Sequence, residues 1–373
     1  MSLLGDTSTL LLRELLIFKK NLRTNLIRSL IFPIIFILLL GSFGSTPKNV
    51  PIAVVNYDNG AGALNFTNLL QSGSSVTIVS QTTQQEAATL LSQGKIAAIV
   101  VIPSGFSSGI DKSIYVYLDN SQPQSSEVAS SAVDSAAAQL GAAAMASSVP
   151  GGSRSLVSVV SNYVYGANSN YLSFVVGGIL IMVASFGAVF TSGFTLLSDR
   201  ELGNLKAFLT TPINKFSILL SKIGYGTLQS ILSAYIGLAI GLLYGATIAA
   251  GVIGFVELIW IVFLVGLGFS ALAIALAARM KQLQTYALVA QTLTLPLSFL
   301  AGAFVPVTLL PSFLQPVVAV NPLYYAVNAV RDIMIKGSLP IGTLVTTSAI
   351  LLAFTGLMTM LAFFLFNKSS KEL

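Results

Sequence analysis

Side chains that commonly carry out chemistry are scarce in this chain. Its 373 residues include no histidine and no cysteine, which excludes imidazole and thiol catalysis, structural zinc and disulfides. The carboxylates to consider are Asp58, Asp111 and Asp119, but acidic residues at strand ends beside Asn and Gly usually shape turns, so neither a catalytic residue nor a metal site is expected from them. No G-x-x-x-x-G-K-[ST] occurs, and Gly94-Lys95 lacks both the upstream glycine and the hydroxyl residue of a phosphate-binding loop. Any ATP must be hydrolysed by a partner. Asn65-Phe66-Thr67 has the form of a glycosylation acceptor, but it falls within a predicted helix.

The remaining candidates are polar groups set in apolar surroundings. Gln229, Gln291, Thr292 and Thr294 lie deepest in the apolar runs, where polar side chains face other protein or a cavity. They could bond between helices or touch a bound compound. Ser233, Gly237, Gly241 and Gly245 repeat every four residues and predict a smooth helix-packing strip. A charged island spans 198–222. Read as a helix, its Leu202, Leu205, Phe208 and Leu209 share one face, Arg200, Glu201, Asn204 and Lys206 spread over the rest, and Pro212 ends it at a corner.

The elements that hold these groups follow from composition. With 54% of residues apolar and 9% charged, several uncharged runs of about 20 residues are long enough to cross a bilayer. Six spans are expected, at 29–45, 171–197, 223–244, 255–277, 283–303 and 344–366. Before them, residues 10–26 interleave leucines with Arg13, Lys19, Lys20 and Arg23, which predicts an amphipathic elbow in the headgroup plane within 1–28. The first span ends in GSFGS, and the structured stretch preceding it argues for an uncleaved span occupying 29–47 rather than a signal peptide. Lys and Arg concentrate in the segments at one side, so both termini, including the tail 367–373, are expected in the cytoplasm and residues 48–165 outside a cell membrane.

Residues 48–165 read as an inserted α/β domain, with strands at 50–56, 75–80, 95–102 and 114–118 and helices at 61–71, 83–93 and 122–148 before a Pro150-Gly151-Gly152 break. After the fifth span, prolines at 306, 311, 316 and 322 limit the chain to short outer helices across 306–337. Asn321-Pro322 starts one at 323–335 and Lys336-Gly337 ends it. Leu323, Val327, Val330 and Met334 give it an apolar face, with Arg331 and Asp332 expected to stay wet.

Three motifs share one resemblance. R-E-x-G-x-L-x-x-F-x-x-T-P runs from Arg200 to Pro212. IAVVNYD, EAATLLSQGKIAAIVVIPSGFS and VYLDNS follow in order through 52–121, and N-P-L-x-Y-x-x-x-x-V-R runs from Asn321 to Arg331. Together they resemble the type-2 permeases of ATP-binding cassette transporters. That resemblance implies a coupling helix at 198–215, seated on a separate ATPase subunit through Arg200, Glu201, Leu205, Phe208, Leu209 and Pro212. It implies outer short helices marked by Asn321, Pro322, Tyr325 and Arg331, and it leaves the deep-set Gln229, Gln291, Thr292 and Thr294 as candidates for a transport path. It also implies a second permease copy, forming a homodimer. The chain itself would be no enzyme and hold no cofactor, with ATP and Mg bound by the partner subunit. Neither nucleic acid nor metal is expected. The implied function is export of an apolar or amphipathic, drug- or lipid-like compound. The alternative is a membrane-anchored receptor or assembly protein whose outer domain binds a ligand. A secondary transporter would usually show ionisable groups at mid-span, and these span centres carry none.

Overall fold

The computed structural model describes residues 3–42, 48–58, 60–81, 83–119, 123–146, 157–165, 171–304, 307 and 310–369. The Pro150-Gly151-Gly152 break, Pro306 and residues 43–47 lie outside them. The chain divides into two units: 1–42, 175–307 and 312–373 in one, 43–174 and 308–311 in the other.

The second unit is built on a five-stranded sheet. Its strands are β1 (Val50–Asn56), β2 (Val76–Gln81), β3 (Ala98–Ile102), β4 (Ser113–Asp119) and β5 (Ser158–Tyr165), in the order β2-β1-β3-β4-β5. Among the described strands, β3 and β4 pair antiparallel and the other three pairs are parallel. β1 and β3 are nearly continuous apolar runs because both faces of the sheet are covered. Ile52 and Val54 pack with Phe66, Leu70 and Val133 of α3 (Ala61–Ser72) and α5 (Pro123–Ala146), on one side. Ala53 and Val55 turn to the other side, beside Leu91 of α4 (Gln84–Ser92). Two expectations change here. The third strand starts at Ala98 instead of 95, because Gly94 takes a left-handed turn (φ 66°) after α4. The last strand, β5, had not been expected at all.

Asp58 and Asp111 do the turn work expected of them. Asp58 accepts from the backbone N–H groups of Gly60 and Ser107, and Asp111 from that of Ser113. Hydrogen bonding from Ser107 holds the Asp58 carboxyl below its ordinary range. Asp119 is buried at the end of β4. Among the described residues no group of acids is placed to hold a metal.

The first unit is helical. Among the described residues, four helices are long and apolar enough to cross a membrane: α6 (Tyr171–Glu201), α8 (Lys215–Leu243), α9 (Gly251–Arg279) and α13 (Ile341–Ser369). Helices also occupy the other two expected positions, α2 (Leu22–Ser42) and α10 (Leu283–Leu300). The elbow helix α1 (Leu3–Lys20) stops earlier than expected, with a break at Asn21. The charged island is not one helix across 198–215: α6 continues to Glu201, Gly203 turns left-handed (φ 76°), and α7 covers only Asn204–Thr210. Beyond α10 lie α11 (Gln315–Val320), α12 (Pro322–Arg331) and a widened turn at Asp332–Lys336. Gly337, at φ 78°, closes that turn as the sequence suggests.

Candidate functional site

The island is organised by a buried ion cluster. Lys222 of α8 is 2% exposed, and its Nζ donates to Glu14 Oε1 of α1 at 2.6 Å and to Asp199 Oδ2 of α6. Arg13 of α1 donates to Asp199 Oδ1 at 2.9 Å and to Glu14 Oε1 at 2.8 Å. Asn204 Nδ2 at the start of α7 also donates to Asp199, at 3.2 Å. Two cations therefore meet two anions, and each buried charge has the partners that burial demands. The Arg13 guanidinium in turn covers the Phe208 ring at 5.1 Å, a cation–π contact that ties α7 to α1. Glu14, Asp199 and Lys222 carry no motif that marks them as partners. The available signal was Glu14, the one acid within the basic leucine run 10–26.

The expected coupling residues separate into inward and outward groups. Leu205 is 1% exposed and packs into the chain's own interior, so it is not free to enter a partner's groove as expected. Arg200 and Glu201 are also used within the chain. Arg200 donates to the carbonyls of Ala277, Ala278 and Met280, the end of α9, while Glu201 Oε1 accepts from the Leu283 N–H at the start of α10. Adjacent residues thus cap one helix's orphan carbonyls and the next helix's orphan amide. Facing out are Leu202, at 72% exposure, with Lys206 and Pro212, while Phe208 and Leu209 are half-buried.

A second feature lies among α2, α6, α8 and α10. A cavity of about 290 Å³ is lined by Phe186, Phe190, Phe194, Gln229, Ser233 and Gln291, with Ser29 beside them. The three phenylalanines recur every four residues along α6 with ring centroids 5.8 and 5.6 Å apart, and Tyr286 continues the ladder at 5.7 Å. Gln229 Nε2 donates to Ser29 Oγ at 2.8 Å. Of the four path candidates, Gln229 and Gln291 line this cavity. Thr292 is exposed, and Thr294 is buried with its hydroxyl unpartnered.

The family of the ABC-2 family transporter protein matches residues 25–364. The chain belongs to that family. A protein named as a probable multidrug ABC transporter permease, YbhR of Escherichia coli K12, is 24% identical over 88% of this ABC-2 chain and 89% of its own. One named as a transport permease, ycf38 of Cyanophora paradoxa, is 32% identical over 44% of this chain, which spans 56% of its length. DrrC of Mycobacterium tuberculosis, named as a probable doxorubicin resistance ABC transporter permease, is 28% identical over 46% of this chain and 64% of its own. A domain of a Thermotoga maritima protein named as an ABC type-2 transporter is 22% identical over 30% of this chain and 84% of that one. Its TM-score of 0.24 carries no argument about the fold.

Other marked positions of this ABC-2 permease divide similarly. Asn321 caps α12 by accepting from the Leu323 N–H at 3.1 Å, and its Nδ2 donates to Leu297 O of α10 at 2.7 Å. Pro322 fills the first turn, and the Tyr325 hydroxyl donates to Ala319 O. Arg331 is not wet as expected. It is buried and donates to Gly302 O at 2.5 Å, beyond the end of α10. Asp332 pairs with Lys336 at 3.0 Å. The small-residue strip packs against two helices: a side chain on Gly237 would meet Pro33 of α2, and one on Gly241 would overlap Val176 of α6. Gly245 is not part of it, because it lies past the end of α8 in a left-handed turn (φ 101°) facing open space.

Proposed function

We propose that this chain is the membrane subunit of an ATP-driven exporter, working with a second copy and two copies of a separate ATPase. In this reading α2 and α10 join the four long apolar helices as spans, both termini are cytoplasmic and the sheet domain lies outside. The observation that carries it is the ion cluster. A coupling element must pass a partner's motion to spans without absorbing it, and α7 is short and tied through Asp199, Arg13 and Lys222 to α6, α1 and α8.

The partner-facing surface is then Leu202, Phe208 and Lys206, not Leu205. The cavity beside the phenylalanine ladder is this chain's part of the transport path. Its described lining residues are aromatic, aliphatic, amide or hydroxyl groups without charge, suited to an apolar or amphipathic compound with a few hydrogen-bonding groups. The relatives' multidrug and doxorubicin-resistance names agree with that class.

Co-purification tests this reading. Burying one large apolar side chain contributes about 1.5–3 kcal/mol, whereas a rim charge contributes under about 1 kcal/mol. Leu202→Asp and Phe208→Asp should therefore release the ATPase and stop export, while Lys206→Ala retains both. Equal ATPase recovery and unchanged transport with both aspartate variants would make the loop a connector and refute the proposal.

A further inference from the structure

A recess of about 570 Å³ between α1 and the corner after α7 holds an acid that the ion cluster does not use. Thr9, Thr211 and Pro212 are exposed at its rim, while Leu10 and Ile213 lie deeper. Asp6 lines the recess and is only 7% exposed. Its Oδ2 accepts one long bond, 3.4 Å, from the Asn214 N–H. Oδ1 has no donor among the described residues, and it is not sealed inside the protein, so its remaining surface opens on the recess. Among the described residues no lysine or arginine pairs with Asp6, whereas Glu14 and Asp199 each meet both Arg13 and Lys222.

A carboxylate set this deeply is stabilised by a cation. Asp6 stands in the first turn of α1 and beside Asn214, the N-cap of α8. The partial positive charge of those two helix ends favours an anion there without neutralising it. A divalent metal fits poorly, because it needs several oxygen ligands and no group of acids gathers here among the described residues. A basic side chain fits better: its aliphatic stem can lie on Leu10 and Ile213 while its charged head reaches Oδ1. The Thr9 and Thr211 hydroxyls donate to Gly5 O and Phe208 O, which leaves their oxygens able to accept from such a head. The recess also begins where α7 ends, Thr211 being the C-cap of that helix. We propose that Asp6 is a docking acid, receiving a lysine or arginine side chain of the ATPase subunit. The assignment rests on the reading of α7 as the ATPase's seat, and adds to it a charge-selective contact on α1.

Asp6→Asn keeps the side chain's size and its acceptor for the Asn214 N–H, and removes only the charge. In the full-length chain in lipid nanodiscs it should weaken binding of the purified ATPase at least tenfold at low salt and flatten the salt dependence of that affinity. The melting temperature of the permease alone should not change. Thr9→Trp, at the exposed rim, should obstruct the recess, weaken binding similarly, and serve if the Asn variant fails to fold. Charge reversal then finds the partner residue: among single Lys→Glu and Arg→Glu variants of the ATPase, one should bind the Asp6→Lys chain at least tenfold better than the unaltered chain. Phe208→Asp tests the parent reading separately. Release of the ATPase by Phe208→Asp, with equal affinity in Asp6→Asn and Thr9→Trp, would overturn the docking acid alone. Full ATPase affinity in all three variants would overturn both readings, and a lowered melting temperature with unchanged affinity would make Asp6 a purely structural residue.

Discussion

A buried lysine is tolerated only while its counter-charges are present, which makes Lys222 the most sensitive residue of the junction. Replacing it with Met would leave Glu14 and Asp199 facing each other, with Arg13 alone to compensate. Breaking a buried pair from one side costs about 3–5 kcal/mol. Lys222→Met should therefore lower the melting temperature of the purified chain sharply, whereas Lys206→Ala, on the exposed face, should leave it unchanged. Adding Glu14→Gln to Lys222→Met should recover part of the loss, and a double-mutant cycle by thermal unfolding measures the coupling. Residue identity in the sequence did point to the island, but not to its wiring. Arg200 and Arg331 both read as solvent-facing charges, yet each donates to carbonyls at or beyond a helix end. Those acceptors are backbone groups distant in sequence, and a backbone carbonyl has no signature in residue type.

Elements were legible where burial imposes a period or a length. The long apolar helices and the core strands β1 and β3 lie close to where hydropathy placed them. β5 escaped notice because it is exposed at the sheet edge and follows a polar stretch, although Val159, Val160, Tyr163 and Val164 were a usable strand signal. The elbow shows a subtler inversion. α1 buries Asp6, Leu10 and Glu14, at one-turn spacing, and exposes Leu12, Leu15 and Leu16. Its acidic stripe faces protein because Lys222 and the Asn214 N–H lie there, leaving the leucines for lipid. Helix approach supplies another prediction. A side chain on Gly178 of α6 would fall 1.9 Å from the Ala303 carbonyl oxygen, a backbone atom that cannot rotate away, while Gly356 of α13 has open space. Overpacking costs about 1–3 kcal/mol, so Gly178→Ala should destabilise the chain in thermal unfolding, and Gly356→Ala should not.

At the scale of the whole molecule, the exposed faces of two helices call for different surroundings. Of the most apolar window of α13 only 17% is buried, against 89% for α6, and its exposed residues include Leu352, Leu357, Met360, Leu361 and Phe364. Lipid can cover such a face at no polar cost. α10 is different, because Gln291 and Thr292 are exposed on a helix that otherwise reads as a span, and amide groups facing hydrocarbon are unfavourable unless protein or water meets them. Gln291 also lines the cavity beside the phenylalanine ladder. A second copy placed against α10 would cover both residues and close the cavity's wall, which makes that helix the expected seam of the proposed homodimer. Because the sequence holds no cysteine, single thiols report this directly in native membranes under mild oxidation. Thr292→Cys should form a disulfide-linked dimer at low expression as well as high, whereas Leu357→Cys on α13 should stay monomeric. Crosslinking from Leu357 but not from Thr292 would move the seam to α13, and monomer from both at every density would argue against pairing altogether.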